Sequence, residues 1–315
     1  MSSISIIIPF LNEAENISRL CEQLNSFCSK NISTKWEVVF VNDGSTDQSV
    51  ELLKNYPHQH YSCKIISLSK NYGSHAALRA GISKCTGERI SFMYADLQDP
   101  LDLLLRMNEE FNKDNYNIVW ACRDSLPTGF VDKTFSTWYS KLMKKFVNKD
   151  YPEKGFDILM FDKKVKNCLD NNVEANSSIF LQILTLGFAQ TTLYYHKEKR
   201  QAGKSKWTLS KKIKLLIDSF VSFSYFPIRM VTIVGIFIFL CGIVYSGYLI
   251  YRKIFVGDLT HGWAILGTIL MLGFGITNIA LGIIAEYLWR TLDASRKRPV
   301  FIIDDIIDLH NENKN

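Results

Sequence analysis

"WEVVFVNDGSTDQSVELLKNY" (Trp36–Tyr56) carries two periodicities in one run. Trp36–Asp43 is a short β-branched and aromatic stretch, the composition of a buried strand. It stops at Asn42 and Asp43 and passes a glycine. It then reopens with Ser45 or Thr46 as a helix cap ahead of Asp47 and Glu51. The stretch is one strand–turn–helix unit with its polar residues at the carboxyl end of the strand.

The unit repeats in both directions. Upstream, "SISIIIP" (Ser3–Pro9) reads as a strand, and Glu13–Phe27 places Ile17, Leu20, Cys21, Leu24 and Phe27 at helical spacing. Downstream, strands are expected at Cys63–Ser69, Arg89–Tyr94 and in "YNIVWACR". Helices are expected in "SHAALRAGISKC" and over Leu101–Phe111. Strand and helix in alternation predict an α/β fold, a mostly parallel sheet with helices on both faces. In such sheets ligands bind beyond the carboxyl ends of the strands. Each strand here ends in polar groups: Asn12 and Glu13, then Asn42 and Asp43, then Asn71, then Asp96 and Gln98. These are expected to converge on one cleft. No G-x-G-x-x-G follows the first strand and no Walker-type loop occurs, which argues against a dinucleotide site or a P-loop.

The chain has 315 residues, 47% of them apolar, and a formal charge of +6. Its mean hydropathy of +0.00 blends two unlike parts. From Pro227 to Trp289 charge almost vanishes. Met230–Tyr251 and Gly262–Ala285 are uncharged runs of about 22 and 24 residues, each long enough to span a hydrocarbon core of about 30 Å. The connection "RKIFVGDLTHGW" is short, so a hairpin is expected. Lys197, Lys199, Arg200, Lys204, Lys206, Lys211, Lys212, Lys214 and Arg229 precede it, and Arg290, Arg296, Lys297 and Arg298 follow. The positive-inside rule puts the large domain and both termini in the cytoplasm. The basic surplus then faces anionic headgroups, and no nucleic-acid partner is expected. "LSKKIKLLIDSFVSFSYF" places Ile213, Leu216, Ile217, Phe220 and Val221 on one helical face, as a membrane-surface helix does.

The domain expectation is a catalytic domain over 1–208, an amphipathic surface helix over 209–227, two membrane helices within 228–290 (about 230–251 and 262–286), and a cytoplasmic tail over 291–315. The tail carries no functional reading. Seven scattered cysteines without a CxxC pair argue against a disulfide framework or a zinc site. "MSSISIIIPF" lacks the basic start and the apolar length of a signal peptide.

In "ISFMYADLQDP" (Ile90–Pro100), Asp96 and Gln98 are two residues apart. Side chains at i and i+2 of a strand end share a side. One carboxylate, one amide oxygen and a substrate diphosphate would suit Mg²⁺ or Mn²⁺. An Asp-Pro turn that merely ends a strand explains the same residues. Asp43 fits either a nucleoside contact or a turn and cap. "RQAGKSKW" (Arg200–Trp207) fits either a phosphate-binding segment or a solvated basic loop. Asp157, ahead of an apolar run, fits a catalytic carboxylate or a cap.

Together "SIIIPFLNEAENI", "VVFVNDGSTDQS", "LSKNYGSHAALRAGI", "YADLQDP", "GFDILMFDKKV" and "RQAGKSKW", followed by two spans, resemble a family 2 glycosyltransferase of the polyprenyl-phosphate type. Dolichyl-phosphate mannose synthases and bactoprenol glucosyltransferases belong to that group. The resemblance implies a GT-A fold. It implies that Pro9, Asn12, Glu13, Asp43, Asn71 and Asp96 bind a nucleotide sugar, and that Asp96 and Gln98 hold the metal. It puts Asp157 at the candidate catalytic position and Arg200, Ser205 and Lys206 on the acceptor phosphate.

The implied reaction is an inverting transfer of one hexosyl unit from a nucleotide diphosphate sugar, UDP-sugar by preference, to a polyprenyl phosphate at the cytoplasmic membrane face. Many relatives read Asp-Ala-Asp-Leu-Gln where this chain has Tyr94, which removes one possible metal ligand. No Q-x-x-R-W is present, as a processive synthase would have. Two alternatives stand beside this one. One is transfer to a hydroxyl of a lipid-linked oligosaccharide or a glycerolipid. The other is a silent membrane protein that binds nucleotide sugars. Glycines along the spans suit helix packing within the chain or in a homo-oligomer.

Overall fold

The computed structural model describes residues 2–124, 130–149, 151–152, 155–156, 158–171, 177–196, 223–224, 226–255, 262–296 and 298–309. It divides into two compact units, one formed by residues 1–216 with 299–315, the other by 217–298.

The first unit is an eight-stranded sheet with helices on both faces. In chain order its elements are β1 (Ser3–Phe10), α1 (Ala14–Lys30), β2 (Lys35–Asn42), α2 (Ser49–Asn55), β3 (Ser62–Leu68), α3 (Ser74–Lys84), β4 (Arg89–Phe92), α4 (Asp102–Lys113), β5 (Ile118–Arg123), α5 (Phe130–Phe146), β6 (Ile158–Asp162), α6 (Lys163–Asn171), α7 (Ile179–Thr185), β7 (Gln190–Tyr195) and, near the C-terminus, β8 (Ile303–Leu309). The strand order is β7-β5-β6-β4-β1-β2-β3-β8.

β1 pairs in parallel with β2 and β4, β2 with β3, and β5 with β7. β6 runs antiparallel between β4 and β5, and β8 runs antiparallel on β3. Two reversals across β6 leave β5 and β7 pointing the same way as β1–β4. The carboxyl ends of six strands therefore share one end of the sheet.

The continuous apolar character of "SISIIIPF" follows from burial on both faces. Ile4, Ile6 and Ile8 join a core with Leu20 and Leu24 of α1, Leu53 of α2 and Met107 of α4. Ile7 faces the other way, toward α3. There a Cβ on Gly81 would sit 2.3 Å from Ile7 Cγ2, so glycine lets the helix lie close on the strand. α3, α6 and α7 cover this second face.

The strands and helices expected as far as β5 are all present, with ends shifted by a few residues. One local reading is corrected. The α2 N-cap is neither Ser45 nor Thr46 but Gln48, whose side chain makes no capping bond. Asp47 Oδ1 accepts the Ser49 backbone N–H at 3.1 Å and the Ser49 hydroxyl at 2.6 Å. Ser45 and Thr46 instead serve the loop after β1, as described below. β6, β7 and β8 were not anticipated. The tail segment Ile303–Leu309 forms the edge strand beside β3, and the Ser69 N–H donates to the Ile302 carbonyl at 3.1 Å.

The second unit contains two long helices, α8 (Phe226–Phe255) and α9 (Trp263–Ser295). Ile228–Tyr245 of α8 is an 18-residue window of mean hydropathy 2.3, long and apolar enough to cross a membrane. Its described apolar side chains are largely exposed; Val244, for example, is 74% exposed. Most of the expected surface helix over 209–227 lies outside the described residues.

Candidate active site

The chain leaves β1 for β2 on one side and later returns to place β4 on the other. This makes the β1/β4 boundary the topological switch point, where an open α/β sheet has its ligand crevice. Adjacent strands are about 4.8 Å apart, so the ends of β4, β1, β2 and β3 span roughly 15 Å. The loops there are stitched to one another in sequence.

The first stitch joins β1 to β2. Beyond β1, Asn12 adopts φ 51, a left-handed turn that asparagine tolerates. Its N–H donates to Ser45 Oγ at 3.0 Å, and its Oδ1 accepts the Thr46 N–H at 2.8 Å. The next two N–H groups cross over as well. Glu13 N–H donates to Ser49 Oγ at 3.0 Å and Ala14 N–H to Asp47 Oδ2 at 3.1 Å. The N–H groups of the α1 N-cap, Glu13, and of its first residue, Ala14, are thus satisfied by Ser49 at the start of α2 and by Asp47 just before it. Burial raises the Asp47 pKa, but the bonds from Ser49 and Ala14 outweigh it and hold the carboxyl below its ordinary value.

The second stitch joins β2 to β3. Asp43 is buried, and its two oxygens accept the backbone N–H groups of Tyr72 at 2.7 Å and Gly73 at 3.0 Å. Asn71 Oδ1 also accepts from Gly73 N–H, at 3.1 Å. Burial of Asp43 exceeds the effect of these two donors and leaves its pKa raised. Gly44, with φ +80, lies against the same loop. A Cβ there would meet Asn71 N and Lys70 C at 2.8 Å. "NDGSTD" is therefore a structural joint: Asp43, Ser45, Thr46 and Asp47 each hydrogen-bond another loop.

The loop after β4 is built differently. From Tyr94 to Asp99 burial alternates. Tyr94, Asp96 and Gln98 are partly exposed, while Ala95, Leu97 and Asp99 are buried. Leu97 at φ 57 makes the turn, and Gln98 N–H reaches Asp96 Oδ1 at 3.4 Å. Asp96 and Gln98 are thus both partly exposed, in a turn beyond β4, which ends at Phe92, rather than at a strand end. Asp99 turns inward and accepts the Tyr195 hydroxyl at 2.6 Å.

Among the described residues no three His, Cys, Asp or Glu side chains group to hold a metal. The donor pair Asp96 and Gln98 fits a hard cation that takes its remaining ligands from water and substrate oxygens. Tyr94 stands in the same open row.

The other expected site residues divide in two. Pro9 is buried at the end of β1, Asn12 and Asn71 are exposed at the cleft, and Glu13 is partly buried there. Asp157, Arg200, Ser205 and Lys206 lie outside the described residues. Two features went unread in the sequence. Asp99 looked like part of a turn, and Tyr195 was invisible because β7 was not expected. The alternating "QTTLYY" (Gln190–Tyr195) was the available signal for that strand.

The chain is similar to known proteins along nearly its whole length. An uncharacterized glycosyltransferase of Bacillus subtilis (strain 168), YkcC, is 32% identical over 98% of this chain and 95% of its own length. An undecaprenyl-phosphate 4-deoxy-4-formamido-L-arabinose transferase of Yersinia pestis (strain Pestoides F) is 27% identical over 98% of this chain and 94% of its own. The solved mannosyltransferase PcManGT from Pyrobaculum calidifontis, in complex with GDP-Man and Mn²⁺, aligns with TM-score 0.44 and 14% identity over 91% of this chain and 87% of that one. Residues 5–169, the span from β1 into α6 that contains all three stitched loops, match Glycosyl transferase family 2, and the chain belongs to that family of glycosyltransferases.

Proposed function

We propose that this glycosyltransferase moves one hexosyl unit from a nucleotide diphosphate sugar, UDP-sugar by preference, to a polyprenyl phosphate, with inversion, at the cytoplasmic face of a membrane. The observation that carries the reading is the loop after β4. It leaves Asp96 and Gln98 both partly exposed, at the switch point where a ligand crevice belongs.

Asn12, Glu13, Asp43 and Asn71 would line the nucleotide end of the crevice, with Pro9 beneath them. Asp43 already accepts two N–H bonds, so its further contact with a nucleoside uses a remaining lone pair. Asp96 and Gln98 would hold Mg²⁺ or Mn²⁺. Bound there, the cation supplies compensation for the charge on the leaving diphosphate.

The acceptor half draws on the relative named for undecaprenyl phosphate, which matches along nearly the whole chain. A phosphate monoester has its second pKa near 6, by analogy with phosphoserine, so it is largely dianionic at neutral pH. It needs little help from a base. Asp157 would therefore orient the acceptor more than deprotonate it. Arg200, Ser205 and Lys206 would grip the phosphate, Arg bidentately and Lys as a point charge.

What supports a two-span hairpin is β8. The chain leaves the sheet unit, passes through α8 and α9, and rejoins the same sheet at Ile303. Both ends of the excursion therefore lie on one side of any membrane, and crossings come in even number. If α8 spans, α9 spans back. The lysines and arginines flanking the excursion favour the cytoplasmic side for the sheet unit.

The test uses the full chain in detergent with undecaprenyl phosphate, a panel of UDP- and GDP-hexoses, and Mg²⁺, Mn²⁺ or EDTA. Mass spectrometry of the lipid fraction is expected to find the acceptor heavier by one hexosyl residue. No lipid product from any donor, in protein that binds nucleotide, overturns the acceptor assignment.

A further inference from the structure

We infer that Asp99 and Tyr195 form a positioning pair that locks the metal-bearing loop after β4 to the root of the acceptor-binding segment. The inference rests on the reading above for the roles of those two loops. Neither residue is needed there to terminate a strand. A turn-forming aspartate belongs at the surface, yet Asp99 is 5% exposed and Tyr195 3%. The Tyr195 hydroxyl donates to Asp99 Oδ1 at 2.6 Å, a well-formed hydrogen bond between two buried groups. It joins residues 96 apart in the chain. Asp99 lies one residue beyond Gln98 and three beyond Asp96, and the rigid ring of Pro100 follows.

The other end of the pair is equally well fixed. Tyr195 is the last residue of β7. Its carbonyl accepts the Asp124 N–H at 2.9 Å, from the end of β5. The carbonyl before it, on Tyr194, accepts from Arg106 Nη2 of α4 at 2.8 Å. The loop after β4, helix α4 and strand β5 thus converge on two consecutive residues. The end of β7 is therefore tied directly to the loop that carries Asp96 and Gln98. A shift of about 1 Å between reacting groups can cost about 100-fold in rate, so a clamp between the donor and acceptor sides is a direct lever on catalysis.

The test compares Tyr195→Phe and Asp99→Asn with the wild-type full chain. Three quantities are read: kcat and KM for donor and acceptor, the Mn²⁺ concentration that half-saturates nucleotide binding, and the thermal midpoint. In Tyr195→Phe, kcat is expected to fall about 10-fold or more and half-saturating Mn²⁺ to rise about 5-fold, while nucleotide binding without metal stays within about 2-fold. Asp99→Asn keeps an oxygen that accepts the Tyr195 hydroxyl, and is expected to retain kcat within about 3-fold. A Tyr195→Phe protein with a lowered thermal midpoint but unchanged kcat, KM and Mn²⁺ requirement reduces the pair to packing and overturns the inference.

If Tyr195→Phe does not fold, Asp99→Glu, which displaces the carboxylate by one methylene, carries the same readouts. If the wild type makes no polyprenyl product, the acceptor assignment fails by itself. The Mn²⁺-dependent nucleotide binding still decides the metal-loop half of this inference, and an unchanged Mn²⁺ requirement overturns it.

Discussion

Asp43 at the end of β2 holds Tyr72, 29 residues further along, by accepting its backbone N–H at 2.7 Å. The bond makes one carboxylate responsible for the shape of a loop that belongs to a different strand. Asp43→Ala would leave the Tyr72 and Gly73 N–H groups without this acceptor, a loss of about 1–3 kcal/mol per buried group at most. Nucleotide affinity is expected to fall about 10-fold or more. Asp43→Asn keeps one oxygen and is expected to lose less. Titration calorimetry with UDP and GDP, beside chemical unfolding, separates binding from stability.

Gly44 and Gly73 make a controlled pair. Both have positive φ, +80 and +92. A Cβ on Gly44 also strikes the Lys70–Asn71 backbone at 2.8 Å, whereas one on Gly73 meets nothing within 4 Å. Gly73, at φ 92 and ψ 157, sits in a region that only glycine adopts readily, so Gly73→Ala should cost about 1–3 kcal/mol from backbone strain alone. Gly44→Ala should cost more and displace the loop, with nucleotide binding lost before the fold. Equal losses in the two variants, measured by unfolding and by nucleotide titration, would contradict the contact.

The metal row gives a graded expectation. Asp96→Ala should abolish Mn²⁺-dependent nucleotide binding. Gln98→Ala should weaken it by about 10-fold, since a neutral amide contributes less than a carboxylate. Tyr94→Asp, which adds a second carboxylate beside the pair, is expected to lower the Mn²⁺ concentration required. Metal titrations at fixed nucleotide read all three.

Glu37 sets an acid limit on stability. Burial alone would raise its pKa. The Ser5 hydroxyl, the Thr86 N–H at 2.7 Å and Lys64 at 3.5 Å outweigh that and leave it below the ordinary glutamate value. In the window between the lowered folded value and the ordinary one, the unfolded chain binds more protons than the folded one. Stability therefore rises with pH there, and is lost as pH falls through the folded value. Glu37→Gln should flatten this slope. Asp43, with its raised pKa, acts oppositely: its contribution is present at low pH and is lost as pH rises through the folded value. Urea unfolding of the sheet unit's signal between about pH 3 and 6 checks both signs.

The tail strand predicts a contrast between backbone and charge. Removing residues 299–315 exposes the edge of β3 and frees Ser69, which leads into the loop that Asp43 holds. Aggregation and weaker nucleotide binding are expected. Asp308→Asn removes only a 3.7 Å ion pair to Lys64, with Asp308 48% exposed, and should change stability by about 0.5 kcal/mol or less. Light scattering and unfolding midpoints distinguish the two effects.

By itself the sequence determined the units that are local. β1–β5 and α1–α4 could be read because each buried strand is a continuous apolar run and each helix has a 3.6-residue repeat. It also put polar residues just beyond the strand ends, so the end of the sheet that carries the candidate cleft followed from element order. The tertiary structure alone decided what depends on partners distant in the chain. β6 gains its place only by running antiparallel between β4 and β5, and β8 only by finding the edge of β3. Ser45 and Thr46 read locally as caps, yet they satisfy Asn12, because backbone donors take whichever acceptor the fold brings near. Asp99 is the sharpest instance. Its neighbours in sequence suggest a turn, and only a tyrosine 96 residues away makes it a buried joint.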